Sequence, residues 1–154
     1  MWYVCMESSK RKNTDNNQLR ERGIPIPSGI CKVCNREEET PNHALVKCRI
    51  TEDVWDQVGV WVKAPTATKR KTLGEIFNSL NDYNWPKAKK KAVHAIFLLA
   101  TWVIWKNRNE KVFRTTNGEV FKMIEEIKEE SFQWMKYKTK VPPISWENWI
   151  YFSW

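Results

Sequence analysis

Residues 31–48 read CKVCNREEETPNHALVKC, and they hold three of the four cysteines and one of the two histidines in a chain of 154 residues. The spacing is Cys-x2-Cys-x8-His-x4-Cys, with Cys31, Cys34, His43 and Cys48 as the candidate ligands. Four soft or borderline donors in so short a window suit a tetrahedral ion. The two-residue gap lets the first two thiolates turn around the metal, while His43 and Cys48 approach from the far side. Thiolates disfavour Mg²⁺ and Ca²⁺, so one Zn²⁺ is the expected cofactor. Four protein ligands leave no position for a water nucleophile, which makes the expected site structural and argues against a metalloenzyme. Taken singly, each residue could be an ordinary buried thiol or a core imidazole; together they form a specific pattern.

Outward from this loop the chain reads as helix. Thr40 and Pro41 are an N-cap and first-turn pair, which predicts a short helix through Ala44, Leu45 and Val46. Ile50, Val54, Val58 and Trp61 or Val62 mark a second helix, ended by Pro65. Leu73 to Leu80 follows as a short amphipathic helix, and Asn81 to Pro86 as a turn-rich break. The longest helix runs from Lys87 to about Arg114. Its apolar stretch from Ala92 to Trp105 contains only His94 and Thr101 as polar residues, and its 14 residues are too few to cross a bilayer. That stretch predicts a buried helix, with His94 a core imidazole. A last helix after Gly118 places Phe121, Ile124, Ile127 or Lys128, Ser131 and Trp134 on one face, and Pro142 and Pro143 stop it. Core packing is the default for Trp102, Trp105 and Trp134, whereas Trp149 and Trp154 in the aromatic tail are left open. Only Val60 to Lys63 weakly suggests a strand. The expected fold class is mainly α, with a small Cys3His zinc-held loop region followed by a helical core.

The same pass divides the chain into four segments. Residues 1–14 form a polar N-terminal tail or truncated remnant; 15–64 the zinc-binding region, with Asp15 capping a short helix from Leu19 to Arg22; 65–86 a basic linker and short helix; 87–154 a long-helix pair with an aromatic tail. The apolar start from Met1 to Met6 gives way at once to Glu7, Lys10, Arg11 and Lys12, so it does not satisfy a secretory signal. An intracellular protein is expected, a nuclear location being consistent with this, and Cys5 is then a free thiol.

The formal charge is +8, from 26 Lys and Arg against 18 Asp and Glu. Three thiolates and one Zn²⁺ lower it by about one. A basic chain suits an anionic partner, yet the metal loop itself is neutral: Lys32, Arg36 and Lys47 balance Glu37, Glu38 and Glu39, and no aromatic side chain is present to stack on a base. The candidate nucleic-acid contacts are therefore Lys69, Arg70 and Lys71 in the linker, and Lys87, Lys89, Lys90 and Lys91 beside Trp85. Lysines oppose the dipole at a helix N-terminus, which hints at retention for a partner.

Several stretches, LRERGIPIPSGICKVC (19–34), EEETPNHALVKC (37–48), VWDQV (54–58), ATWVIWKNRNEKVF (100–113), SFQWMK (131–136) and SWENW (145–149), carry a resemblance. The chain resembles the reverse-transcriptase zinc-binding domain at the C-terminal end of plant non-LTR retrotransposon polyproteins. That resemblance implies Cys31, Cys34, His43 and Cys48 as ligands, and a role beside an RNA-directed DNA polymerase. RNA or DNA and the retroelement's polymerase domain are the implied partners, with no membrane and no small-molecule substrate. The chain itself is not expected to polymerise: Asp15, Asp53, Asp56 and Asp82 form no adjacent carboxylate pair of the kind that holds two metal ions. Residues 1–12 depart from what precedes the loop in the family. A protein-interaction module and a non-functional retroelement fragment are the rival readings.

Overall fold

The computed structural model describes residues 29–69, 72–113, 120–138 and 144–153, excepting the side chains of 111–113. Cys5, the helix expected from Leu19 to Arg22, Arg70, Lys71, Pro142, Pro143 and Trp154 lie outside them. Among the described residues there are helices and no strands; one isolated antiparallel bridge pairs Ile30 with Glu38. The expected mainly α fold, a metal loop followed by a helical core, is what forms.

After the metal loop, helix α1 spans Arg49–Trp61 and buries Thr51, Val54, Trp55 and Val58 on one side. It ends before Pro65. Lys63 adopts a left-handed conformation (φ 61), and the Ala64 N–H donates to the Gly59 carbonyl at 2.8 Å, closing the last turn as a Schellman cap. Val60 to Lys63, the stretch with weak strand character, is thus helix and cap: two valines in four residues are too short a signal to outweigh the apolar period of 3.6 around them. Gly59 is needed in this helix because a Cβ there would lie 2.8 Å from Thr68 Oγ1 and 3.2 Å from the Ala64 carbonyl.

Helix α2, Leu73–Ser79, starts at Thr72, whose hydroxyl accepts from the Glu75 N–H at 3.2 Å, and runs into a single 3₁₀ turn, Leu80–Asp82. Helix α3 spans Lys87–Phe113 and helix α4 Val120–Lys138. These two pack against each other, and Lys106 near the end of one pairs with Glu126 near the start of the other at 2.6 Å, so they run antiparallel. Helix α5, Trp146–Ile150, is capped by Ser145, whose hydroxyl accepts from the Asn148 N–H. One continuous core takes Val46 from the metal loop, Val54, Trp55 and Val58 from α1, Val93, Ile96 and Phe97 from α3, Ile127 from α4, and Trp149 and Phe152 from the chain's end. The apolar stretch of α3 buries Ala92, Val93, Ile96, Phe97, Ala100, Val103 and Ile104, while Leu98 stays 54% exposed, so it is buried on one side rather than all round. No helix among the described residues is long and apolar enough to cross a membrane.

Three packing expectations need correction. On α4 the buried face is Met123, Ile124, Ile127, Ser131 and Met135, while Phe121 is 67% exposed and Trp134 45% exposed. Ile124, Ile127 and Ser131 belong to two overlapping stripes of a 3.6 period, and the helix turns its methionine side inward, leaving the large rings at the edges. Trp102, half-buried, does pack against the core as expected, whereas Trp105 is half-buried outside it. Conversely, Trp149 is fully buried: its indole N–H donates to the Lys128 carbonyl at 3.0 Å, and its own carbonyl accepts from the Trp61 indole at 3.1 Å. His94 is half-buried against Phe77, with ring centroids 6.2 Å apart, rather than enclosed in the core; burial foremost, and the charge of Lys90, push its pKa down.

These environments predict opposite costs for two tryptophans. Trp149→Ala should destabilise the fold by about 3–5 kcal/mol, and Trp134→Ala by no more than about 1 kcal/mol. Urea denaturation followed by circular dichroism distinguishes the two.

Candidate metal centre

The loop that carries Cys31 and Cys34 is closed by its own backbone. Cys31 N–H donates to the Glu37 carbonyl at 2.8 Å, Asn35 N–H to the Cys31 carbonyl at 2.8 Å, and Glu39 N–H to the Gly29 carbonyl at 2.6 Å. Asn35 sits in the left-handed region (φ 55), a conformation its short polar side chain tolerates, and this lets the chain turn just after Cys34.

The other two ligands come from one unusual turn. Thr40 caps it as expected, its hydroxyl accepting from the His43 N–H at 3.0 Å. The segment His43–Lys47 is then π-helical rather than α-helical, and the Cys48 N–H donates to the His43 carbonyl at 2.7 Å. The reason lies in the x4 spacing. In an α-helix residues five apart point about 140° away from each other, whereas the wider turn with its i→i+5 bond brings them to the same side.

The result is a compact cluster. The ligand atoms of Cys31, Cys34, His43 and Cys48 all lie within 4.8 Å of one another. Cys34 Sγ is 3.4 Å from His43 Nε2, and the Cys31 and Cys48 sulfurs are 4.0 Å apart. Tetrahedral Zn²⁺, with Zn–S of about 2.3 Å and Zn–N of about 2.0 Å, requires edges of about 3.5 to 3.8 Å, so the donor set fits the ion. Cys31, His43 and Cys48 are buried and Cys34 half-buried. The neighbouring Cys48 thiol holds Cys31 down, to about 5, against the opposing effect of burial, while Cys48 is pushed up by Cys31 and by burial. The two sulfurs compete for one proton, a conflict that a divalent cation relieves by replacing it. All four expected ligands converge, close enough together to hold one zinc ion.

Two acidic residues, read from the sequence only as neutralising charge, have specific roles. Glu37 Oε2 lies 3.3 Å from His43 Nδ1, so it fixes the tautomer that turns Nε2 toward the thiols. Glu39 forms an ion pair with Arg108 of α3, both side chains largely buried. Glu37 could have been suspected from its place in the turn just after Cys34; nothing local in the sequence links Glu39 to a residue 69 positions away.

The described basic candidates have different surroundings. Lys69 is exposed and paired with Asp56 at 2.6 Å, and Lys90 donates to the Asn81 carbonyl at 3.2 Å. Lys89 is half-buried, its ammonium 5.6 Å from the Trp85 ring centroid and 5.2 Å from that of Phe152. Lys87 and Lys91 are exposed, one turn apart on α3.

Zinc content by mass spectrometry and sulfur-edge absorption should give about one Zn²⁺ per chain with three S ligands and one N ligand. Cys34→Ser and His43→Ala should each abolish it. Glu37→Ala should weaken zinc binding by about tenfold in chelator competition, at the low end for an outer carboxylate because Glu37 is exposed.

A search of curated proteins and of solved structures finds no match to this chain. A family model does match. It is described as zinc-binding in reverse transcriptase, and it aligns with residues 1–55, which include all four ligands. Over those 55 of its 154 residues the chain is similar to the reverse-transcriptase zinc-binding family.

Proposed function

We propose that this chain is a zinc-stabilised accessory module of a retroelement reverse transcriptase, and that it contacts nucleic acid through basic side chains outside the metal loop. The carrying observation is the closed Cys3His cluster, which fits a structural role, inside a segment that matches a reverse-transcriptase zinc-binding family. The formal charge of +8 favours an anionic partner, and the metal loop contributes none of the excess. Among the foreseen lysines, Lys87 and Lys91 are best placed to reach a phosphate backbone, being exposed and on one helical face. We read the chain as having no polymerase activity, since the described Asp53, Asp56 and Asp82 are dispersed over α1 and the turn after α2.

A second reading is docking on a protein, and a specific feature favours it. Leu98 on α3 is 54% exposed, and Trp134 and Tyr137 on α4 are 45% and 71% exposed, apolar surface that a partner could cover. The C-terminal Trp tail is a poorer candidate, because Trp149 and Phe152 are core residues.

For the first reading, affinity for single-stranded RNA should fall steeply with salt, and neutralising Lys87 and Lys91 together should flatten the slope of log affinity against log salt by about 1.4, two contacts at about 0.7 each. Indistinguishable slopes would shift the reading to protein docking. Reversing Glu37 and Glu39 is a poor probe of the loop's proximity to RNA, since it would strip His43 and Arg108 of their partners. With primer, template, nucleotides and Mg²⁺, the isolated chain should extend nothing; synthesis that survives repurification would reveal an unrecognised carboxylate site.

A further inference from the structure

Tyr83, Trp85 and Lys89, within seven residues of one another, lie together, and the charge of Lys63, from the cap of α1, is felt by Lys89. Tyr83 and Trp85 stack with ring centroids 4.5 Å apart and planes 18° apart. The stack is held by the Tyr83 hydroxyl, 2.5 Å from Thr66 Oγ1, and by the Trp85 N–H on the Tyr83 carbonyl at 2.9 Å. Both rings are half-buried, so each keeps part of its surface toward solvent. Over Trp85 lies the Lys89 ammonium, and the exposed Lys63 repels it from the capped end of α1. Burial, with Lys63 adding to it, lowers the pKa of Lys89. No ion pair among the described residues neutralises either lysine.

A partly desolvated ammonium that also feels a second positive charge is costly to the fold. A bound anion removes that cost. We propose that Lys63 and Lys89 contact the phosphates of a single-stranded nucleic acid, one of whose bases stacks on the Tyr83–Trp85 pair. This rests on the nucleic-acid reading given above and adds the strandedness and the seat. A fixed aromatic stack with an ammonium over one ring suits a splayed-out base and its backbone; a duplex hides its base faces, and an acidic peptide has no use for the rings.

The test uses the full zinc-loaded chain and a fluorescent oligouridylate of about 12 nucleotides, long enough for one site. Each of Lys63→Met and Lys89→Met should lower the salt slope by about 0.7. In the double variant, the affinity lost between roughly 50 and 200 mM salt should then be about sevenfold smaller than in wild type. Trp85→Leu should weaken binding and leave the slope unchanged. Because Lys89→Met replaces a desolvated cation, its urea midpoint should equal or exceed that of wild type. A lowered midpoint with an unchanged slope overturns the assignment in favour of a packing role for Lys89. So does equally tight binding of a duplex of the same length or of oligoglutamate. RNA binding whose slope is unmoved in the double variant sinks this seat alone and leaves Lys87 and Lys91 as contacts; failure of wild type to bind at low salt removes the nucleic-acid reading as well.

Discussion

Convergence of three sulfurs and one imidazole nitrogen on a single centre is the constraint from which the rest of the architecture follows. The loop of residues 29–40 has no apolar interior of its own, and its few backbone hydrogen bonds cannot alone offset the entropy of ordering it. The ion supplies the missing stabilisation by coupling metal affinity to folding. It also dictates the π-helical turn, because only that winding sets His43 and Cys48 on the same side.

The metal loop transmits its order to the helices through a short series of polar contacts. Thr51 donates to the Ala44 carbonyl at 2.9 Å and the Trp55 indole to the Leu45 carbonyl at 2.8 Å, so the π turn is satisfied by α1 rather than by water. Glu39 and Arg108 attach the other side of the loop to α3. A pair this buried adds little net stability, but removing one partner is costly, typically about 3–5 kcal/mol, so it acts chiefly as a register pin. Zinc ligation and the packing of the long helices are thereby one cooperative unit.

The opposite end of the fold is organised by aromatic rings. Trp61, Trp149 and Phe152 meet edge to face with centroids 5.7 to 5.9 Å apart, which draws the end of the described chain back onto α1. Lys89 and Lys128 lie over rings of this cluster, so positive charge stands against an apolar surface instead of dispersing into solvent. A zinc-dependent end and an aromatic, basic end thus share one core, and a ligand at the second would bind a surface whose shape the first helps to hold.

Ligand identity, ion, helical class and the N-cap at Thr40 were legible in the sequence, because each depends on residues a few positions apart whose chemistry has few alternatives. The helices were legible too, since an apolar period of 3.6 is a local property. What escaped was decided by rotation and contact at long range. Which stripe of α4 faces inward, and hence whether Trp134 or Trp149 is buried, depends on how α4 and α5 seat against α1 and α3. The pairing of Glu39 with Arg108 and the effect of Lys63 on Lys89 join residues 69 and 26 positions apart. Spacing along a chain encodes neighbours within a turn or a loop; only closure of the core brings distant charges together, and here that closure alone separated the lysines tied to the fold from those left facing solvent.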